Sequence, residues 1–303
     1  MQFLVGTGGW SYFNAGDKLP LRAYSEVFNF VEVNYTFYEY PDLRQVQGWR
    51  RIVSKDFTFS VRCHQDLTHR IGFKPVDDAF EVFYKMKAYC ATLETPLLVL
   101  ETPASYVLEG AGIRGAKDFF ASLNMGSIRL IWEYRAPPSA ALANLMAEFN
   151  IVQCVDLSRN TPQLQSDLVY SRLFGKGKHN LYQFTDDELL EIQKNANDTK
   201  TQTIILAYHS ARMNTDAARF KTYQLTGKFI PATSYFGLQS AEAVLSEDTA
   251  FPTTKTSLIE RQGWKVIDLS KDRRVHLSEV LNLIPDKTYN NLSEVTKQLK
   301  AVL

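Results

Sequence analysis

The sequence predicts a closed eight-stranded β/α barrel followed by a small, mostly helical C-terminal module. Eight short strand-like segments fall within about the first 210 residues, rich in Val, Ile, Leu, Phe and Tyr. Most are almost continuously hydrophobic, which is typical of parallel strands covered on both faces. Longer segments with helical spacing separate them. This alternation suits a (β/α)₈ barrel, which commonly has about 250 residues.

The predicted strands are Phe3–Gly6, Phe30–Asn34, Phe57–Arg62, Pro96–Glu101, Ile128–Glu133, Ile151–Asp156, Val169–Phe174 and Thr203–Tyr208. Helical spacing predicts helices over Asp77–Leu93, Ser139–Phe149 and Asp186–Asn197, and Thr185 with Glu188 forms a capping-box spacing before the last. An open doubly wound sheet is the alternative fold. It is disfavoured because the glycines at positions 6, 8 and 9 do not form a GxGxxG turn.

The pattern changes after about residue 230, which predicts a barrel domain over residues 1–230 and a C-terminal module over residues 231–303. Within the module we expect helices at Ser240–Leu245, Leu277–Leu283 and Leu292–Leu303. Trp264–Leu269 and Arg274–Leu277 are candidates for a short strand pair. About 70 residues bury little surface, so the module is expected to pack on the barrel or on a partner protein.

Composition excludes several classes of function. The formal net charge of +1 provides no overall attraction to nucleic acid or to an anionic membrane. Cys63, Cys90 and Cys154 are scattered without a metal-binding spacing. The sequence contains no signal-peptide pattern and no apolar run long enough to span a membrane, so we expect a cytoplasmic protein with no membrane partner.

Two segments carry recognisable motifs, GTGGWSY at Gly6–Tyr12 and VEVNYTFYEYP at Val31–Pro41. They resemble signatures of the YecE-like family, also called domain of unknown function 72. Weaker matches follow in the same order to about residue 225, among them WEYR at Trp132–Arg135 and SRLFG at Ser171–Gly175. The resemblance implies a TIM-type barrel and no defined activity. This chain departs from the family at Arg62, where the family has lysine, and at Phe174, where it has histidine.

The C-terminal module contains FP-x-x-K at Phe251–Lys255 and the segment Ile284–Val295, which includes PD-x-x-Y. These elements resemble a second family, domain of unknown function 2795. This resemblance also implies no defined activity.

Candidate functional residues follow from the barrel, because its strands place their carboxyl ends on one face, where active sites lie. Our catalytic candidates are Glu32, Glu133 and His209. The ligand-binding candidates are Asn34, Arg62, Glu101, Arg135, Arg172, Trp10 and Tyr38. An inward Glu32 needs a cationic partner, Arg62 or Arg172, because burying an unpaired charge is costly. It is either a general base or part of a buried network that fixes the strand register.

Two alternatives stay open for the charged residues. One alternative is an anion site formed by Arg62, Arg135 and Arg172, since a guanidinium fits phosphate or carboxylate. The other is that each of these arginines neutralises one inward carboxylate. A divalent metal such as zinc or manganese is a further option, with His209, Glu101, Glu133 and Asp156 as ligands. No HxH or HExxH motif supports that metal site.

Two functions are therefore expected. The first is an enzyme that acts by acid/base chemistry on an anionic, phosphate-bearing sugar, a nucleotide or a nucleic acid. The second is a non-catalytic protein whose barrel binds a small ligand or a nucleic acid and whose residues 231–303 recruit a partner protein.

Overall fold

The computed structural model describes residues 1–303 and contains a closed barrel of eight parallel strands in chain order. Strand β1 pairs with both β2 and β8, which closes the barrel. The strands are β1 Gln2–Thr7, β2 Phe30–Val33, β3 Thr58–Arg62, β4 Leu97–Thr102, β5 Arg129–Tyr134, β6 Val152–Val155, β7 Leu168–Leu173 and β8 Thr203–Tyr208. All eight predicted strands are confirmed, each with ends within one residue of the expected position.

The barrel interior is filled by alternate residues of the strands. Phe30, Val99, Ile131, Tyr170 and Ile205 belong to one buried cluster inside it. Because side chains alternate along a strand, the residue two positions after Phe30 points to the same interior. This periodicity carries polar side chains into the barrel near the carboxyl ends of the strands.

Eight helices accompany the barrel strands. They are α1 Pro20–Val27, α2 Tyr35–Tyr38, α3 Leu43–Ile52, α4 Asp77–Thr92, α5 Ala111–Ala121, α6 Ala140–Glu148, α7 Asp186–Asp198 and α8 Met213–Thr226. The predictions for α4, α6 and α7 are confirmed, including the capping box, in which the Thr185 N–H donates to Glu188 Oε2 at 3.0 Å. A π-helical turn, Asp66–Ile71, follows β3. Residues 156–167 connect β6 to β7 without a helix.

The C-terminal elements are α9 Leu238–Ser246, β9 Thr253–Thr254, α10 Lys255–Gln262, β10 Val266–Ser270, β11 Arg273–His276, α11 Leu277–Leu281, β12 Thr288–Tyr289 and α12 Leu292–Leu299. They enclose their own buried cluster, which includes Leu245, Ile267 and Leu281. The expected strand pair is present as the antiparallel β10–β11 hairpin. Strands β9 and β12 also pair antiparallel, and each is preceded and followed by a helix.

The chain folds into two compact units. The first contains Met1–Leu173 and Asn195–Tyr208, and the second contains Phe174–Lys194 and His209–Leu303. The second unit thus includes α8 and the segment after β7 as well as the C-terminal elements. The domain boundary at residue 230 stays a prediction. None of the helices is both long and apolar enough to cross a membrane.

Candidate site at the carboxyl end of the barrel

Charged side chains from five strands meet in one cluster inside the first unit. The cluster contains three glutamates and three arginines, so its formal charges balance: Glu32 of β2, Arg62 of β3, Glu101 of β4, Glu133 of β5, Arg172 of β7, and Arg135 just beyond β5. The sequence predicts all six at this face. The structure brings them together through direct ion pairs.

Arg172 is the centre of the cluster. Its side chain is 2% exposed and pairs with Glu32 at 3.1 Å, with Glu101 at 2.5 Å and with Glu133. Burial alone would lower the pKa of this guanidinium, but the three surrounding carboxylates outweigh burial and raise it well above its ordinary value. Arg172 is therefore a permanent cation that holds three carboxylates in place.

Glu101 accepts hydrogen bonds from all three arginines. The shortest distances from its carboxylate oxygens are 2.5 Å to Arg62, 2.8 Å to Arg135 and 2.5 Å to Arg172. Burial would raise the pKa of Glu101, but these guanidiniums lower it overall. Such a stabilised anion is a poor proton acceptor, so Glu101 serves to organise the arginines.

Glu32 lies fully buried at the deep end of the cluster. In addition to Arg172, its carboxylate accepts a hydrogen bond from the Tyr170 hydroxyl at 2.8 Å. The Tyr170 hydroxyl is also 2.7 Å from Ser60 Oγ. An enclosed carboxylate has no open path to a ligand, so the geometry favours the interpretation of Glu32 as part of a buried network.

Arg62 forms the next layer toward the solvent. Its Nη1 donates to Asn34 Oδ1 at 2.8 Å, and Asn34 Nδ2 donates to the Gly8 carbonyl at 2.9 Å. Its guanidinium carbon lies 3.6 Å from the centre of the Phe37 ring. The Arg62 Nε–H is buried and has no acceptor. Burial, followed by the charge of Arg172, lowers the pKa of Arg62.

Arg135 and Glu133 are the most accessible charged groups of the cluster. The Arg135 side chain is 37% exposed and the Glu133 side chain 13% exposed. Arg135 Nε donates to Glu133 Oε1 at 2.7 Å, while Arg135 Nη1 lies 2.8 Å from Glu101 Oε1. An exposed ion pair thus covers a buried, charge-balanced network.

Aromatic side chains surround the loops after β1 and β2. Trp10 packs edge-on against Trp49 with ring centres 5.3 Å apart, and Tyr35 lies 6.1 Å from the same Trp49 ring. Tyr38 is 59% exposed, with its ring centre 5.9 Å from the Arg62 guanidinium carbon. Tyr35 and Trp49 are not among the candidates that the sequence indicates, since aromatic side chains are common in both cores and binding sites.

The remaining candidates do not form a metal site. His209 belongs to the second unit, where its ring stacks on Phe174 with centres 4.9 Å apart. The Asp156 carboxylate accepts hydrogen bonds from the backbone N–H and the hydroxyl of Ser158 at 2.9 and 2.6 Å. No group of three or more His, Cys, Asp or Glu side chains is arranged to hold a metal ion. The set of four ligands considered from the sequence is therefore not assembled.

Fold and site together define a β/α-barrel protein with a charged cluster at the carboxyl ends of its strands. A family model described as "Protein of unknown function DUF72" matches residues 4–226, and the chain belongs to this family. The resemblance seen in the sequence is thereby confirmed for the barrel. The resemblance of the C-terminal module to domain of unknown function 2795 stays a prediction.

Solved structures of the same family share the fold. A DUF72 family protein of Thermotoga maritima MSB8 has a TM-score of 0.59 and 18% identity, covering 74% of this chain and 100% of that one. A DUF72 family protein of Enterococcus faecalis V583 has a TM-score of 0.57 and 14% identity, covering 74% and 97%. At these identities the likeness shows the fold alone. None of the curated proteins matches the chain.

Proposed function

We propose that this chain is an enzyme that acts by acid/base chemistry on an anionic, phosphate-bearing sugar or nucleotide at the carboxyl end of the barrel. The observation that carries this proposal is the exposed Arg135–Glu133 ion pair above the buried cluster. Active sites of β/α barrels lie at this end of the strands. A cation and a carboxylate in contact there supply the two groups that such chemistry requires.

Binding of an anion would change the partner of Arg135. Its planar guanidinium fits a phosphate group in two parallel hydrogen bonds. When the ligand takes these donors, Glu133 loses one arginine partner but stays fixed by Arg172. The Glu133 Oε1 atom, which Arg135 occupies in the free protein, is then available to accept a proton from the ligand.

The aromatic side chains near the cluster support a ligand that has both charge and a ring. Tyr38 of α2 lies beside Arg62, and Trp10 follows the Gly8 carbonyl that Asn34 contacts after β1; aromatic faces stack favourably on sugar or base rings. These features fit a sugar phosphate or a nucleotide better than a bare inorganic anion.

Isothermal titration calorimetry with inorganic phosphate, ribose 5-phosphate and adenosine monophosphate tests the proposal. We expect Arg135→Gln to weaken binding by about 10- to 100-fold, because a hydrogen bond to a charged group is worth about 1.5–3 kcal/mol. Arg51→Gln is the matched control, since Arg51 is exposed in the last turn of α3, the helix end that leads to the opposite face of the barrel. The proposal is contradicted if none of the three ligands binds, or if both substitutions weaken ligand binding equally.

A non-catalytic binding protein is the second candidate. The observation that favours it is that Glu101 is held by three arginines and Glu32 is fully buried, so neither carboxylate is placed to accept a proton from a ligand. Glu133→Gln separates the two functions. If the protein is an enzyme, the variant should bind the ligand but lose turnover. If it is a binding protein, neither the parent nor the variant turns the ligand over. Nucleic acid as the ligand would show a steep decrease of affinity with salt.

A further inference from the structure

We infer that His69 exchanges a proton with the ligand bound beside Arg135 and Glu133. This inference rests on the proposed function and adds a residue to its chemistry. His69 lies in the segment after β3, at the open end of the charged cluster.

A π-helical turn, Asp66–Ile71, determines the position of His69. Such turns insert one extra residue per turn and occur frequently at functional sites. The exposed His69 ring packs edge-on against Phe37 with centres 5.1 Å apart. The Arg62 guanidinium lies on the same Phe37 ring. Sharing this ring places the imidazole beside the layer of the cluster that contains Arg62.

The hydrogen bonds of His69 orient the ring while leaving one nitrogen for a ligand. Its Nδ1 lies 2.9 Å from the hydroxyl of Thr68, which is fully buried and therefore fixed. Nε2 has no protein partner. In the tautomer whose Nδ1–H donates to the Thr68 hydroxyl, Nε2 carries the lone pair that can take a proton from a ligand hydroxyl. The O–H bond then breaks, an N–H bond forms, and the electron pair stays on the ligand oxygen.

The charges that face His69 come from three strands: Arg62 of β3, Glu101 of β4, and Arg135 just beyond β5. Partial burial and the two arginines lower the pKa of His69, while Glu101 opposes them. The imidazole is consequently neutral at neutral pH, which is the form that accepts a proton. A bound phosphate adds negative charge near the ring and should favour its protonated form.

His64 provides an internal comparison. It lies two residues after β3, but it is buried and stacks on Tyr40 with ring centres 3.8 Å apart. Its Nδ1 accepts a hydrogen bond from the Asp66 N–H at 3.1 Å. His64 therefore stabilises the start of the π-helical turn from a buried position, whereas His69 is exposed at the barrel mouth.

Site-resolved NMR titration of the histidine Cε1–H signals in the intact chain tests the inference, with and without inorganic phosphate. The His69 signal is assigned by its loss in His69→Gln. We expect phosphate to raise the pKa of His69 by roughly one unit. The Cε1–H signal of the exposed His179, which belongs to the second unit, should not respond to phosphate.

Two negative results are distinguishable. If calorimetry shows phosphate binding that depends on Arg135 while the His69 titration does not move, the role of His69 is refuted and the proposed function stands. If inorganic phosphate alone does not bind, the titration is repeated with ribose 5-phosphate; if none of the three ligands binds, the proposed function fails and the role of His69 fails with it. An equal shift of His69 and His179 would indicate non-specific anion binding and would also refute the inference.

Discussion

At the scale of single residues, burial separates the roles of the three arginines. Arg172 is enclosed and pairs with three carboxylates, whereas the guanidinium of Arg135 reaches the solvent. Removing one partner from a buried ion pair is costly because the remaining charge stays desolvated. Exposed ion pairs contribute much less, because water and salt screen them. The same cluster therefore contains one enclosed arginine whose loss should be costly for stability and one accessible arginine whose loss should not.

Arg172→Ala should lower the free energy of unfolding by roughly 3–5 kcal/mol, because it leaves Glu32, Glu101 and Glu133 without their shared cation. Arg135→Ala should lower it by less than about 1 kcal/mol. Urea denaturation of both variants measures the difference. Equal losses of stability would show that Arg172 does not hold the cluster together.

The sequence predicts which charged residues meet, but it does not predict how they pair. Strand alternation and barrel closure place Glu32 and Arg172 at one end of the interior, and both follow from the apolar pattern. The partners depend on side-chain lengths and on the register between distant strands. That three arginines share Glu101, and that Glu32 lies too deep to reach a ligand, could not be deduced from spacing.

At the scale of elements, the strands were predictable and several helices were not. Strands buried on both faces form short continuous apolar runs, and such runs can be recognised in a sequence without a periodic pattern. Helix α2 and the π-helical turn have only four and six residues, too few to show a helical repeat. His69 lies on the π-helical turn. The sequence predicts neither this turn nor a function for His69.

The glycines provide a test of strand packing. Gly6 of β1 pairs with Phe30 of β2, and a Cβ atom at Gly6 would lie 1.9 Å from the Phe30 carbonyl oxygen. Gly6→Ala should therefore separate the strands and lower stability by roughly 1–3 kcal/mol or more. Gly48 lies inside α3 with nothing within 4 Å of its Cβ position. Gly48→Ala should raise stability by about 0.5–1 kcal/mol.

Thermal and urea denaturation of the two alanine variants measure these opposite changes. The substitution is the same in both, so the contrast isolates the local surroundings. A Gly6→Ala variant as stable as the parent would mean that β1 and β2 are not packed as closely as described.

At the scale of the whole molecule, buried charges also connect separate parts of the second unit. Asp186 at the start of α7 pairs with Arg219 of α8 at 2.5 Å and with Arg274 of β11 at 2.8 Å. Arg274 also pairs with Asp268 of β10 at 2.7 Å. Arg219 continues the chain of ion pairs to Asp216, which is 3.1 Å away and fully buried. Ion pairs therefore link elements that lie before and after residue 230. The change in composition near that residue does not indicate these links.

Asp216 makes the stability of the protein depend on pH. Burial, with a smaller contribution from the charge of Glu188, raises the pKa of Asp216 to about 7, although Arg219 and the Phe184 N–H oppose the shift. The unfolded value is about 4. Between about pH 4 and pH 7 the folded state thus binds more protons than the unfolded state. The stability that Asp216 contributes falls as the pH rises through this window, by an amount on the order of a few kcal/mol.

The Asp216→Asn substitution removes this titration. The free energy of unfolding of the variant should therefore increase relative to that of the parent when the pH is raised from 5 to 8. The variant also loses one hydrogen-bond acceptor, for Arg219 or for the Phe184 N–H, so the titration is reported by the change between the two pH values and not by the difference at either one. Urea denaturation at the two pH values gives the change, and Asp118→Asn on the exposed side of α5 is the control. The stability difference between Asp216→Asn and the parent could instead be the same at pH 5 and pH 8. In that case Asp216 does not change its protonation state in this range, and its titration does not make the stability of the protein depend on pH.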